Sequence, residues 1–97
     1  MVVTEASQRR VVLSGRLDVQ SVSEVRFALH EAIDAGAGDV AVDVGGVDLI
    51  DATGLGVLVG AHRRARQRGT RLVLVNVNER MNRVLRLTRL HRILVVA

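Results

Sequence analysis

The sequence predicts an α/β fold, a mixed sheet of four to five strands with about three α-helices. Short apolar runs of strand type alternate with longer segments in which apolar residues recur at helical spacing. Glycine-containing or polar turns separate these segments. The chain has 97 residues and contains neither an internal repeat nor a Pro-rich linker, so residues 1–97 are expected to form a single domain. Phe27 is the only aromatic residue, so the core must be aliphatic.

The first two strand candidates lie at residues 2–4 and 10–14, with polar residues 7–9 between them. Apolar, β-branched runs separated by a short polar stretch are typical of a hairpin or of adjacent strands. The Gly-Arg-Leu-Asp segment at residues 15–18 is then expected to turn the chain toward a helix.

The first helix is predicted at about residues 22–35. Ser21 and Glu24 have the spacing of a capping box, in which each side chain accepts from a free backbone N–H at the helix start. One apolar stripe at helical period predicts the buried face: Val22, Val25, Leu29, Ala32 and Ile33. The glycines within residues 36–38 tolerate a left-handed cap at the helix end.

A central strand is predicted at residues 40–44, parallel to its neighbours because helices connect it on both sides. Gly45 and Gly46 are expected to end this strand, and a loop through residue 50 then delivers Asp51 to the start of the second helix.

The second helix is predicted at about residues 53–68, with Leu55, Leu58, Val59 and His62 on its buried face. Three glycines lie near its start: Gly54, Gly56 and Gly60. Each glycine costs a helix roughly 1 kcal/mol relative to alanine, so the backbone here must be approached closely. Two interpretations stay open: tight packing on the sheet, or a smooth surface for a partner.

The last part of the chain predicts a strand at residues 71–75, a third helix capped by Asn78, and a closing strand at residues 93–96. Four residues of the third helix are expected to face inward: Met81, Val84, Leu85 and Thr88. Its outer side carries arginine at every third position: Arg80, Arg83 and Arg86.

The most informative stretch is Asp51-Ala52-Thr53-Gly54-Leu55-Gly56, between the central strand and the second helix. The first N–H groups of a helix lack intrahelical acceptors and attract an anion or an acceptor side chain. Asp51 is suited to cap the helix or to bind a cation, such as an arginine of a partner. Thr53 carries the only hydroxyl at this helix start, and this hydroxyl is a further candidate for capping.

This stretch resembles the signature Asp-Ser-Ser/Thr-Gly-Leu-Gly of STAS domains in anti-sigma factor antagonists. Gly15-Arg16-Leu17-Asp18 is similar to the Gly-x-Leu-Asp turn of that family, and residues 78–90 lie where its third helix belongs. The resemblance covers nearly the whole chain. It implies the STAS fold and a non-enzymatic regulatory protein.

The resemblance also implies a function. Unphosphorylated antagonists of this family bind an anti-sigma factor that is also an ATP-dependent serine kinase, and the released sigma factor then directs transcription. Phosphorylation of the motif serine breaks the contact, and a phosphatase restores it. The partner-binding residues implied for this chain are Asp18, Asp51, Ala52, Thr53, Gly54, Leu55, Gly56 and Gly60.

One position departs from the family pattern, because Ala52 stands where the phosphorylated serine is expected. Alanine has no oxygen to phosphorylate. The chain is therefore an engineered Ser→Ala form, a natural antagonist that escapes the kinase, or a protein that uses Thr53 instead. Moving the acceptor by one residue rotates the side chain by roughly 100° at a helix start. A constitutively binding-competent protein is the favoured interpretation.

Enzymatic chemistry is not expected. The chain has no Cys, and its Ser, Thr and His residues show no nucleophile-elbow pattern, so thiol and hydrolase chemistry lack support. Three widely separated His residues predict no metal site. The spacing of Gly54, Gly56 and Gly60 departs by one from a dinucleotide loop, so no cofactor is expected.

Charge is divided unevenly, and all fourteen basic residues are arginine. Residues 1–51 contain four Arg and nine Asp or Glu, whereas residues 52–97 contain ten Arg and Glu79 alone. Solvated helix faces with a codon bias explain this pattern. The alternatives are a surface, above all at residues 63–68, that steers an acidic partner, or a basic nucleic-acid-binding or other interaction module. The lack of stacking aromatics and of a helix-turn-helix pattern disfavours nucleic acid.

The expected location is the cytoplasm. The N-terminal residues lack the basic and apolar regions of a signal peptide, and the longest apolar region, residues 40–61, contains three Asp residues. No membrane partner is therefore expected.

Overall fold

A computed structural model describes residues 2–7 and 9–97, with side chains from residue 9 onward. The α/β prediction is confirmed. The elements in chain order are β1 (Val2–Ser7), β2 (Arg10–Leu17), α1 (Val22–Asp34), β3 (Asp39–Ile50), α2 (Ala52–Gln67), β4 (Arg71–Val75), α3 (Glu79–Leu87), a 3-10 helix (Leu90–Arg92) and β5 (Val95–Val96).

The five strands form one sheet in the order β1-β2-β3-β4-β5. Strand β1 is antiparallel to β2, and the remaining neighbours pair in parallel, so the prediction of a hairpin or adjacent strands and that of a parallel central strand are both confirmed. Helix α1 packs on β1 and β2, and α2 packs on β3 and β4 and against α1. Strands β2, β3 and β4 therefore begin at one end of the sheet, the amino edge, and finish at the other, the carboxyl edge.

The core lies between the sheet and the helices and is aliphatic. Its largest fully buried side chains include Leu13, Leu17, Leu29, Ile33, Leu58, Leu72, Leu74 and Leu85. All five residues of the predicted stripe on α1 are buried. Burying such side chains contributes roughly 1.5–3 kcal/mol each, so these aliphatic contacts are the main stabilising term.

The buried faces of the other two helices differ in part from prediction. On α2, Val59 is only half-buried, whereas Val57, Ala61 and Ala65 belong to the core. On α3, Met81 and Leu85 are buried, but Thr88 is exposed and ends the helix, donating its hydroxyl hydrogen to the Val84 carbonyl oxygen at 2.7 Å. The Asn78 cap is confirmed, since its Oδ1 accepts from Met81 N–H at 2.8 Å.

Strand β3 does not end at the two glycines, and the prediction of a loop from residue 45 to residue 50 is wrong. The strand continues to Ile50, with an irregular register where Gly46 lies opposite Ser14. A Cβ atom on Gly46 would lie 2.9 Å from Ser14 Cβ, so glycine lets the two strands stay paired. Strand β2 is likewise longer than predicted and reaches Leu17.

The predicted capping box at α1 is also wrong, because Ser21 makes no side-chain hydrogen bond to the helix start. The Ser21 hydroxyl donates to the Arg16 carbonyl oxygen at 2.9 Å and accepts from Asp18 N–H at 3.0 Å. Ser21 therefore closes the turn between β2 and α1. At the other end of α1, the cap residue Ala35 is right-handed, and the left-handed conformation comes later, at Gly38 (φ 94°).

The amino edge is tied together by side chains. The Arg9 guanidinium donates to the Ala32 carbonyl oxygen at 2.9 Å, to the Gly38 carbonyl oxygen, and to Thr70 Oγ1 at 3.1 Å. The Thr70 hydroxyl also donates to the Gly38 carbonyl oxygen. One arginine thus connects the end of α1 with the segments that enter β3 and β4.

Candidate functional site

The two aspartates of the motif segments lie at the carboxyl edge on neighbouring strands. Leu17 pairs with Ile50 at the ends of β2 and β3, and the Asp51 N–H donates to the Leu17 carbonyl oxygen at 3.2 Å. Asp18 and Asp51 each follow these paired residues, and both are half-buried. The parallel register therefore places the Gly-x-Leu-Asp turn beside the start of α2.

The carboxylate of Asp18 interacts with neighbouring residues of the turn between β2 and α1. Its Oδ1 accepts from Gln20 N–H at 3.1 Å, and its Oδ2 lies 3.4 Å from Arg16 Nε. The Arg16 side chain is two-thirds exposed, so this ion pair is weak. Asp18 consequently presents a carboxylate that is 17% exposed and whose position is set mainly by the backbone of the turn.

Asp51 is the N-cap of α2. Its Oδ1 accepts from Gly54 N–H at 2.8 Å, and its carbonyl oxygen accepts from Leu55 N–H at 2.9 Å. Of the two roles predicted for Asp51, the structure shows the capping role. A carboxylate here also faces the positive end of the helix dipole, which is favourable.

The prediction that the Thr53 hydroxyl also serves in capping is wrong. Ala52 and Thr53 are the first two residues of α2, and both are exposed. The Thr53 hydroxyl makes no hydrogen bond with any other residue that the structure describes. It is therefore accessible from solvent, one position after Ala52.

Gly54 and Leu55 lie in the core rather than on the surface. A Cβ atom on Gly54 would lie 2.4 Å from the Leu17 carbonyl oxygen and 2.8 Å from Leu17 Cγ. The backbone of α2 thus approaches the end of β2 too closely for any side chain. Leu55 is 9% exposed, so its side chain packs inward.

Gly56 and Gly60 face outward, one helical turn apart. Both are exposed, and a Cβ atom at either position would meet no heavy atom within 4 Å. Close packing on the sheet therefore explains Gly54 but neither Gly56 nor Gly60. These two glycines leave the backbone of α2 bare toward solvent.

A groove runs between α1 and α2 beside these glycines, and we refer to it as the α1–α2 groove. Its volume is about 370 Å³, and its lining residues are Arg26, His30, Gly56, Val57, Gly60, Arg63, Arg64 and Gln67. Sequence reasoning missed the contribution of α1. Arg26 and His30 are four residues apart, as are Gly56 and Gly60, so each pair lies on one face of its own helix, but no signal in the sequence indicates that the two faces meet.

An ion-pair cluster closes the groove toward the amino edge. Asp34 Oδ2 lies 2.6 Å from Arg64 Nη2, and Asp34 Oδ1 lies 3.0 Å from Arg68 Nε. The hydrogen bond from Arg64 lowers the pKa of Asp34, and the nearby positive charges act in the same direction. Burial is the largest cause that lowers the pKa of His30, and Arg64 adds to it, so its imidazole stays neutral near pH 7.

His62 lies on the inner side of α2 and is 6% exposed. Its Nδ1 is buried and has no hydrogen-bond partner among the described residues. Burial lowers the pKa of His62, and Arg66 and Arg63 lower it further. The neutral imidazole is therefore part of the folded core, which fits a packing residue.

Within residues 2–7 and 9–97, no group of three or more His, Cys, Asp or Glu is arranged to hold a metal ion. Over the same residues, every helix is too short or too polar to cross a membrane.

Comparison with known proteins gives consistent matches. A family model described as "Mlab, STAS domain" matches residues 1–96. The anti-sigma-B factor antagonist of Staphylococcus epidermidis is 33% identical over 86 residues, which cover 89% of this chain and 80% of that protein. A candidate anti-sigma factor antagonist of Thermotoga maritima has a TM-score of 0.79 at 26% identity, covering 95% of this chain and 81% of that one. The unphosphorylated Bacillus anti-sigma factor antagonist SpoIIAA shares the fold, with a TM-score of 0.70 at 21% identity over 99% of this chain and 86% of its own.

Proposed function

The chain belongs to the STAS domain family of anti-sigma factor antagonists, and from this premise we propose that it binds an anti-sigma factor and so releases a sigma factor. The observation that carries the proposal is the exposed surface at the start of α2, which carries the family motif. The protein would act by binding alone, in the cytoplasm, without a cofactor.

The proposed contact surface consists of the exposed residues of the motif together with the two aspartates. These are Asp18, Asp51, Ala52, Thr53, Gly56 and Gly60. Gly54 and Leu55 support this surface from below, since both are buried. A bare helix face flanked by carboxylates fits a partner that presents backbone and arginine, because arginine binds carboxylates with strong, charge-assisted hydrogen bonds.

Mutation at Gly56 tests this surface. Each anti-sigma factor encoded in the genome that carries this chain is purified, and binding is measured by calorimetry. Gly56→Leu has room for its side chain in the folded protein, so we expect loss of binding with an unchanged fold. The matched control is Ala37→Leu, an exposed position at the amino edge. Normal binding by Gly56→Leu contradicts the contact surface, and a wild-type chain that binds none of these factors contradicts the function.

We further propose that the partner is a serine kinase and that this chain escapes its control. Ala52 is exposed at the first position of α2, where a serine would be accessible. A phosphate there would add about −2 of charge beside the Asp51 carboxylate and weaken binding by repulsion and desolvation. Since Ala52 cannot carry a phosphate, binding is constitutive and needs no phosphatase. The Thr53 hydroxyl has no hydrogen-bond partner among the described residues. The obstacle to its phosphorylation is therefore its direction, which is rotated by roughly 100° from that of residue 52.

Mass spectrometry separates these alternatives. The protein is incubated with its anti-sigma factor, Mg²⁺ and ATP, and the intact mass is measured. We expect no added phosphate on the wild-type chain and one on Ala52→Ser. The double variant Ala52→Ser/Thr53→Val is the control, and it should still gain one phosphate. A phosphate on Thr53 of the wild-type chain contradicts the proposed escape.

A further inference from the structure

The α1–α2 groove carries positive charge that is not neutralised within the described residues. Arg26 lines it from α1 and Arg63 lines it from α2, and neither pairs with a carboxylate of residues 9–97. Arg64 is a third lining arginine, but Asp34 already binds it. No carboxylate lines the groove, so an anionic occupant would relieve the repulsion between Arg26 and Arg63.

The floor of the groove is open to close approach. Gly56 and Gly60 have no side chain, and the space above them is empty to at least 4 Å from an ideal Cβ. The groove is open to solvent, and its volume of about 370 Å³ has room for a few side chains. A polypeptide can therefore bring its main chain against α2 while its side chains reach the arginines on either side.

An apolar anchor lies at the rim of the groove. Phe27, the only aromatic residue of the chain, is 67% exposed on α1. It lines a second depression of about 610 Å³, which shares Arg26 and His30 with the α1–α2 groove. Exposed aromatic residues next to arginine are typical of the few positions that dominate a protein interface.

We infer that the α1–α2 groove, with Phe27 at its rim, docks an acidic segment of the partner protein. Carboxylates of this segment bind Arg26 and Arg63, and an apolar side chain packs on Phe27. The inference rests on the proposed function and extends the contact surface from Gly56 down α2 toward the amino edge.

The charges around the groove favour an acidic peptide over a nucleic acid. Glu31 lines the depression beside Phe27, and Glu24 is exposed on the same helix. A duplex with one charge per about 1.7 Å would be repelled by these carboxylates when lying along α1. A peptide with a few carboxylates and an apolar residue can place its negative charge on Arg26 and Arg63 alone.

The groove can be tested without the partner. The ¹⁵N-labelled protein is titrated with a capped 14-residue peptide of Glu and Leu, and with the same peptide carrying Gln for Glu. We expect amide shifts at Arg26, Phe27, Gly56 and Gly60 with the Glu peptide only. The variant Arg26→Glu/Arg63→Glu should abolish them, whereas Arg83→Glu/Arg86→Glu, the same charge change on exposed α3 positions, should not. Shifts centred on α3, shifts that are equal in the two double variants, or no shifts at all overturn the inference.

The partner provides the second test. With the anti-sigma factor that binds the wild-type chain, Arg26→Glu/Arg63→Glu should weaken binding at least about tenfold and flatten its salt dependence. Phe27→Ala should weaken it about fivefold, and the α3 double variant less than about threefold. Equal binding by the groove variant overturns the inference and leaves the function standing. If no anti-sigma factor binds the wild-type chain, the proposed function is wrong. The peptide titration still tests whether the groove binds an acidic segment.

A random-sequence 20-base-pair DNA duplex is the competing probe. We expect it to leave the peptide bound at equal concentration. Displacement of the Glu peptide by the duplex, with shifts at the same four residues, assigns the groove to nucleic acid and overturns the inference. Thermal unfolding of each variant, followed by circular dichroism, verifies that lost binding comes from a folded protein.

Discussion

The two edges of the sheet are built in opposite ways. At the amino edge, Arg9 donates hydrogen bonds to the end of α1 and to the segments that enter β3 and β4, Asp34 binds two arginines, and Arg71 binds Asp39 at 2.7 Å. At the carboxyl edge, the Asp18 and Ser21 side chains bond within the turn after β2, and Asp51 caps α2. Beyond this cap, the start of α2 exposes Ala52, a Thr53 hydroxyl without a partner among the described residues, and the backbone at Gly56.

This difference shows how one small sheet divides stability and binding between its two ends. Polar groups bonded within the protein rigidify their surroundings and keep less hydrogen-bonding capacity for a partner. Exposed backbone and unpaired hydroxyls contribute little to folding but are available for recognition. We therefore expect mutations at the amino edge to change stability, and mutations of exposed carboxyl-edge residues to change binding. Three mutations at the two edges test this division, and a fourth, at a buried residue of α2, belongs to neither edge.

The largest effect on stability is expected at Gly54. This residue lies at the carboxyl edge but is buried, so its mutation should change stability rather than binding alone. In Gly54→Ala, the new methyl group would lie 2.4 Å from the Leu17 carbonyl oxygen, a backbone atom that cannot move without disrupting β2. We expect a loss of about 3 kcal/mol in the free energy of unfolding, the upper part of the usual overpacking cost. Urea denaturation measures it. A loss below about 1 kcal/mol would show that the close contact can relax.

At the amino edge, Arg9→Met is expected to cost about 2 kcal/mol, because the Ala32 and Gly38 carbonyl oxygens and Thr70 Oγ1 lose a charged donor while the side-chain volume is kept. The control is Arg83→Met, which is exposed on α3 and should stay within about 0.5 kcal/mol of wild type. Binding of the anti-sigma factor to Arg9→Met should be unchanged at a temperature where the variant is folded. If the two substitutions cost the same, Arg9 does not tie this edge together.

The order of elements and the buried face of α1 could be predicted from the sequence because both depend on local periodicity. The parallel pairing could be predicted because helices connect the strands. The long pairing of β2 with β3 could not. Whether Gly46 ends a strand or lets it pass close to Ser14 depends on the neighbouring strand, which is distant along the chain. The capping-box pattern at Ser21 was misleading for a local reason, since the Ser21 hydroxyl donates to the carbonyl oxygen of Arg16, five residues earlier, instead of serving the helix start.

The candidate site shows the same limit. The motif at Asp51 could be recognised, and capping was one of the two roles that a carboxylate at a helix start predicted. The opposite orientations of Gly54 and Gly56 could not be predicted, since glycine has no side chain that marks the buried face. The α1–α2 groove was missed because it forms only when Arg26 and Gly60, more than thirty residues apart, come together.

His62 belongs to neither edge and should make stability depend on pH. Its pKa is lowered in the folded protein, mainly by burial. Because the pKa is lowered on folding, the unfolded chain takes up a proton at a higher pH than the folded protein does, so stability falls as pH decreases below about 6.5. We expect His62→Leu to gain in unfolding free energy relative to wild type over this range, by less than the loss of Arg9 costs. A difference between the two proteins that stays constant from pH 7 to 5 contradicts this account. His30 is present in both proteins, so its own titration cancels in the difference.

The smallest change in stability, and the sharpest test of the division, is expected for Gly56→Ala. Gly56 lies inside α2 with open space around it, so alanine restricts the unfolded chain without a clash and should stabilise the protein by about 1 kcal/mol. The same methyl group covers the bare backbone on which the partner is proposed to lie, so binding should weaken. Gly60→Ala extends the test one turn along the groove.

Denaturation and calorimetry on the same samples give the free energy of unfolding and the binding affinity. A variant that is more stable and binds as well as wild type would show that this glycine is not retained for recognition. A variant that is more stable and binds less tightly would show that the carboxyl edge gives up stability in order to bind.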